Sequence, residues 1–146
     1  MTAASVPEGF TRLPIGGEFI VANGPIYERM HEGVCQLGFR VEARHTNTMG
    51  ICHGGMMATF CDMLLPVTAL RTHADLQARF LPTVSLDIDY LAPAPRGAWV
   101  QGEAQVLRVT RSLVFAQGLV SADGEPVARV SGVFKIAGGQ RGPQAG

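Results

Sequence analysis

The sequence predicts an α+β fold, an antiparallel sheet with one long helix packed on a face. Three observations carry this. Residues 54–73 place Met56, Met57, Phe60, Met63, Leu64, Val67 and Leu70 at steps of three and four, the spacing of one helix face. Residues 83–91 alternate, with Val84, Leu86, Ile88 and Tyr90 on one side and Thr83, Ser85, Asp87 and Asp89 on the other. Asp123-Gly124, between two apolar runs, is a strong hairpin signal.

In chain order, residues 1–17 hold Pro7, Gly9, Pro14, Gly16 and Gly17 and read as an extended N-terminal arm. Residues 18–22 and 34–44 read as strands, joined through Gly24-Pro25 and the segment around Tyr27; the second alternates cleanly only from Phe39 onward. Residues 45–53 read as a loop. The helix opens on Gly54-Gly55, and Pro66 inside it removes an amide and is expected to kink the helix or end it early. The run 71–82 carries little pattern, and Pro82 opens the next strand. From there the chain reads as a meander: 83–91, a turn at Pro93, Pro95 and Gly97, long strands 98–109 and 112–122, then 126–136 with Ala128, Val130, Phe134 and Ile136 on one face. Residues 138–146 form a Gly/Pro/Gln tail, which leaves 18–137 as one domain.

The chain has 146 residues, 47% apolar and 16% charged, enough apolar content to offset folding entropy by burial and too little length for two domains. Lys plus Arg number 12 and Asp plus Glu 12, so there is no basic excess of the kind that grips nucleic acid. No apolar run reaches the roughly 18 residues of a membrane helix, and Met1–Thr11 lacks the pattern of a signal peptide. Cys35, Cys52 and Cys61 form no CxxC pair, and their odd count points to reduced thiols in a cytoplasm. One helix is too small to cover so long a sheet, and the sheet has two edges. Low surface charge adds to this, and the expectation is a dimer.

The segment most able to carry chemistry is Asn47-Thr-Met-Gly-Ile-Cys-His53-Gly54-Gly55, followed by Asp62. Asn47 lies six positions before His53, and Asp62 nine after it. This pattern resembles the hotdog-fold acyl-CoA thioesterases of the phenylacetate-pathway (PaaI-like) type. The likeness extends to Pro82–Pro93 and the Asp-Gly hairpin and covers roughly residues 34–136; residues 1–33 add nothing to it. It implies an antiparallel sheet wrapped around one long central helix. It also implies a homodimer or dimer of dimers with sites shared between subunits, Asn47, His53 and Gly54 from one chain and Asp62 with a hydroxyl from the other. The hydroxyl falls on Thr83, counting back from Tyr90, with Ser85 as competitor. The bend Arg108-Val109-Thr110-Arg111-Ser112 would contact the nucleotide of coenzyme A, with Gly55, Tyr90 and Arg96 near the substrate. Coenzyme A enters as part of the substrate, and no cofactor or metal is implied.

The residues themselves agree with that chemistry. Thioester hydrolysis builds negative charge on the carbonyl oxygen, and backbone amides at a helix N-terminus meet it with unpaired donors and the helix dipole. Glycine at 54 and 55 lets a substrate approach closely. Asp62, as base on water or as nucleophile, would supply the attack. It lies eight residues beyond Gly54, about 12 Å along a helix, too far for both to touch one carbon. If both are catalytic, they come from different subunits. Other readings remain for single residues. Asp62 as an exposed helix carboxylate would sit oddly among Phe60, Cys61, Met63, Leu64 and Leu65. Asn47 could serve as a turn residue beside Gly50, and His53 as a helix-start residue. The bend 108–112 could be a solvated hairpin. Arginine there suits phosphate. Cys52 beside His53 lacks an orienting acid for thiol catalysis, and His45, Cys52, His53 and Asp62 do not match a zinc spacing.

Three functions follow from the sequence in order of fit. The first is an acyl-CoA thioester hydrolase. The second is a non-hydrolytic acyl-CoA binding protein or sensor, which would have no use for a carboxylate near the thioester carbonyl. The third, a hydratase on the same fold, needs differently spaced motifs that the chain lacks.

Overall fold

The structure, a computed structural model, describes residues 5–138; the residues of the expected tail beyond 138 lie outside them. The elements in order are β1 (Thr11–Arg12), α1 (Gly17–Asn23), β2 (Tyr27–His31), β3 (Val34–Arg40), α2 (Gly54–Thr72), β4 (Thr83–Tyr90), β5 (Trp99–Val109), β6 (Leu113–Ala122) and β7 (Glu125–Lys135). All seven strands form one antiparallel sheet in the order β1-β2-β3-β5-β6-β7-β4. The sheet wraps α2. Phe60, Cys61, Leu64 and Leu65 are fully buried beneath it with Leu37, Phe39, Val100, Val114, Val120 and Phe134. Two glycines let the sheet come this close. A Cβ on Gly102 would stand 2.7 Å from a Leu64 methyl, and one on Gly132 3.0 Å from a Leu65 methyl. Cutting Leu64 to Ala would cost about 2–5 kcal/mol.

Helix α2 runs through Pro66 to Thr72 instead of ending early. Burial of Leu64, Leu65, Val67 and Ala69 on both sides of the proline holds it together, and the missing amide leaves the Asp62 carbonyl without its usual helical donor. The buried set also includes Cys61, Leu65, Thr68 and Ala69, while Met63 and Leu70 are only half-buried. The helix is therefore covered over more than one face.

Residues 18–22, expected as a strand, are the body of helix α1. A short apolar run does not separate the two states by pattern. The helix is selected at its C-terminal end, where the orphan carbonyls find donors. The Asn23 side chain donates from Nδ2 to Phe19 O and the Gly24 backbone amide to Ile20 O, while Arg44 donates to the carbonyls of Ala22 and Gly24. The His45 imidazole bonds Asn23 O through Nε2. Residues 1–4 of the expected N-terminal arm lie outside the described residues; from residue 5 the arm is extended but not detached, because Phe10 and Leu13 are buried and Phe10 packs edge-on against Trp99. The strand expected over 34–44 ends at Arg40, and Ala43–His45 turns as a short 3-10 helix with His45 buried. The joining segment around Tyr27 is itself strand β2.

The expected meander is corrected at its first step. β4 pairs with β7 at the far edge and not with β5, because β5 already has β3 on that side. The segment Leu91–Ala98 therefore crosses the end of the sheet. The remaining hairpins form as read, with Asp123 (φ 47°) and Gly124 (φ 89°) supplying the tight turn between β6 and β7.

Candidate active site

The crossover segment forms the floor beneath the loop that leads into α2. The Cys52 amide donates to Ala94 O (2.7 Å) and the Arg96 amide to Gly50 O (3.2 Å). Asn47 turns the loop with its own side chain: Oδ1 accepts from the amides of Met49 (2.9 Å) and Ile51 (3.4 Å). Its Nδ2 has no partner among the described residues, so an amide group oriented by the turn keeps two donors for a ligand.

His53 is the N-cap of α2, and its Nδ1 accepts from the Gly55 amide at 2.8 Å. Of the first amides of α2, those of Met56 and Met57 donate to His53 O (3.0 and 3.1 Å). The Gly54 amide alone has no partner among the described residues. Helix geometry and the cap thus leave one donor at the positive end of a 19-residue helix. The cap assigns the acceptor role to Nδ1 and puts the ring proton of neutral His53 on Nε2. The expectation for Gly55 changes accordingly, since its amide is held by His53.

Asp62 is half-buried, and the Thr83 hydroxyl donates to its Oδ1 at 2.5 Å. Simple alternation would have placed Thr83 and Ser85 together on the polar face and Val84 on the apolar one. The strand instead has an irregularity between Thr83 and Ser85. Thr83 pairs with Phe134 and Leu86 with Gly132, both inward-facing, while Ser85 pairs with Val133. Val84 is the extra residue and stands 61% exposed, a correction to its expected core position. The second oxygen of Asp62, Oδ2, has no partner among the described residues.

The bend between β5 and β6 is built by Thr110, whose Oγ1 accepts from the amides of Ser112 (3.3 Å) and Leu113 (2.9 Å). Val109 pairs with Val114, and Arg108 and Arg111 are exposed with no side-chain hydrogen bond among the described residues. This bend adjoins the Thr83 end of the sheet, since the Ile136 amide bonds Ser112 O and the Lys135 amide bonds Pro82 O. Tyr90 lies at the other end of β4, and its hydroxyl donates to Gly54 O at 2.7 Å.

The site residues thus fall into two groups within one chain. Asn47, His53, Gly54 and Tyr90 gather at the start of α2; Asp62, Thr83 and the 108–112 bend gather two turns on, about 12 Å away. Sequence reasoning weighed His45 only as a zinc ligand and missed its role in holding the loop. Its Nδ1 accepts from the Glu42 amide and its carbonyl accepts from the His53 amide, tying α1 and the α2 cap into one network. The Glu42…His45 spacing of a capping box was the available signal.

Residues 49–128, more than half of the chain, match the sequence pattern of the thioesterase superfamily. The chain belongs to the thioesterase superfamily. The hotdog fold expected from the Asn47–Asp62 segment is the fold observed. Among relatives of this chain, a Pseudomonas aeruginosa protein provisionally named an esterase is 27% identical over 90% of this chain and 98% of its own length. Homo sapiens acyl-coenzyme A thioesterase 13 is 36% identical over 56% of this chain and 55% of its own, so the match spans about half of that relative. The solved structure of the E. coli PaaI protein from the phenylacetic acid degradation operon superposes with a TM-score of 0.70 at 21% identity, covering 85% of this chain and 88% of that one.

The thiols of this chain are not placed for attack. Cys52 and Cys61 are buried, and desolvation pushes them up to about 11 and about 12, so neither is a thiolate at neutral pH. Among the described residues no three His, Cys, Asp or Glu side chains converge as a metal site, and no helix is long and apolar enough to cross a membrane.

Proposed function

We propose that this chain hydrolyses acyl-CoA thioesters to a free acid and coenzyme A, at sites each built by two copies of the chain. The observation that carries the reading is the Gly54 amide, the one free donor at the start of α2 and carried on a residue with no side chain. It would meet the thioester carbonyl oxygen as negative charge develops there, an interaction worth about 3 kcal/mol in the transition state. Asn47 Nδ2 and His53 Nε2 are the further donors at this end.

Asp62 supplies the attack. Its Oδ1 is held by Thr83, which leaves Oδ2 to take a proton from water as the water adds to the carbonyl carbon, or to add to that carbon itself and give a mixed anhydride that water opens. In either course the C–S bond breaks and the sulfur leaves with the electron pair as coenzyme A thiolate. Arg108 and Arg111 hold the nucleotide phosphates.

The 12 Å between Gly54 and Asp62 along one helix requires the second copy. Edge strand β4 is the surface that favours it. Its only neighbour among the described residues is β7, and Phe80, Val84 and Leu91 stand exposed on and beside it. Homo sapiens acyl-coenzyme A thioesterase 13 supports the substrate class by its name.

The deciding experiment offers the protein short, long and aromatic acyl-CoA substrates and measures thiol release. Turnover of at least one, lost in Asp62→Asn, is the expected result. Tight binding without release of thiol would overturn hydrolysis in favour of an acyl-CoA binding protein.

A further inference from the structure

Helix α2 begins on two consecutive glycines, the residues that lose most conformational freedom on ordering and have no side chain to pack. Such a start frays unless something outside the helix holds it. The amides around it are almost all engaged. That of Cys52 donates to Ala94 O, that of His53 to His45 O (2.8 Å), that of Gly55 to His53 Nδ1, and those of Met56 and Met57 to His53 O. The carbonyl side is held from a different element. The Tyr90 hydroxyl donates to Gly54 O at 2.7 Å, and its ring lies against Gly54, where a Cβ would meet Oη at 3.5 Å. The Gly54–Gly55 peptide is therefore fixed at both ends, its oxygen by Tyr90 and its N–H by His53.

Tyr90 is well suited to hold it. Its backbone is registered against Ala128 of β7, and the next amide, that of Leu91, bonds Val127 O at 2.8 Å. The side chain has few rotatable bonds, and burial pushes the phenol up from its ordinary value, so the hydroxyl keeps its proton at neutral pH.

We propose that Tyr90 is a positioning residue for the thioester reaction: its hydroxyl, bonded to the Gly54 carbonyl, holds the two-glycine start of α2 so that the free Gly54 amide keeps its aim at the reacting carbonyl. This rests on the hydrolase reading of Gly54. It replaces direct contact with the nucleotide as the role of Tyr90. It also gives β4 two handles on α2, Thr83 on Asp62 at one end and Tyr90 on Gly54 at the other.

Tyr90→Phe removes the hydroxyl and keeps the ring. With one hydrogen bond lost, kcat falls about tenfold while KM changes less than about twofold. The loss is the same on an acyl-CoA and on the same acyl group carried by a short thiol, because Gly54 meets the carbonyl in both. Amide hydrogen exchange on the intact protein speeds about tenfold at residues 55–57 and is unchanged at 60–72. A rise in KM confined to the acyl-CoA substrate would instead make Tyr90 a nucleotide contact and overturn the proposal. Unchanged kcat with unchanged exchange would make the bond incidental and overturn it equally. A parent protein that hydrolyses no thioester overturns the hydrolase reading, and the exchange comparison then decides separately whether Tyr90 holds the turn.

Discussion

The Thr83 hydroxyl sits 2.5 Å from Asp62 Oδ1 because strand β4 carries one extra residue, Val84, between Thr83 and the regular alternation that begins at Ser85. The irregularity turns a side chain that parity assigns to the polar face inward onto the helix. It also separates two hydroxyls that strand parity left equivalent.

Thr83→Val should lower kcat about tenfold, with Thr83→Ser restoring most of it, since the serine hydroxyl reaches the same carboxylate oxygen. Ser85→Ala, on the outward face beside Val133, should leave kcat within about twofold. Steady-state kinetics on the best substrate separate the two. The reverse ranking would mean that the hydroxyl serving Asp62 is Ser85.

Asp62→Asn should abolish turnover by about 10²–10⁴-fold while the fold stays intact, because asparagine keeps the oxygen that Thr83 bonds and loses basicity and nucleophilicity. Circular dichroism and thiol-release assays check the two halves. Near-normal kcat in this variant would remove Asp62 from the reaction.

Mixing subunits tests the shared site. Asp62→Asn and Asn47→Ala chains, each inactive by itself, place their defects in different halves of each site. Unfolded together and refolded at equal amounts, they should regain about one quarter of parental activity, since half of random dimers are mixed and each mixed dimer keeps one intact site. A mixture as inactive as its parts, or an active monomer by light scattering, would show that each chain works alone.

Arg108→Ala and Arg111→Ala should raise KM for acyl-CoA with a smaller effect on kcat, and the difference should shrink as salt rises. The same acyl group on a short thiol is the control and should be handled as by the parent. Equal losses on both substrates would make the arginines structural, and no loss on either would place the nucleotide elsewhere.

The buried thiols predict an alkaline limit to stability. Burial raises Cys61 to about 12 and Cys52 to about 11, from an ordinary value of 9.0. Unfolded chains then release these protons at lower pH than the folded chain does. Stability from the neutral thiols is therefore complete below pH 9 and lost as pH rises through 11 to 12, by up to about 1.4 kcal/mol per pH unit for each thiol. Thermal unfolding between pH 8 and 11 should show Tm falling, with a shallower fall in Cys61→Ala. Parallel slopes in the two proteins would exclude Cys61 as a cause.

Features with a local cause are legible in the sequence alone. The span of α2 followed from apolar residues at helical spacing, and the β6–β7 turn from Asp123-Gly124. The spacing Asn47, His53, Gly54, Asp62 marks the proposed site, and the proposal needs two chains because the rise of a helix is fixed whatever surrounds it. Other features depend on partners distant in sequence and emerge only when the chain folds. Residues 18–22 are helical because Arg44 and His45 supply donors to the end of α1. β4 lies beside β7 because β3 occupies the other edge of β5. Pro66 is tolerated because the sheet closes over its neighbours. Even within the motif, periodicity could not say which glycine amide is free. That follows from the His53 ring taking the Gly55 amide, while the Gly54 carbonyl is fastened by Tyr90, 36 residues away. Hydrogen bonds of this kind leave no period in the sequence, since each needs only one donor and one acceptor brought together by the fold.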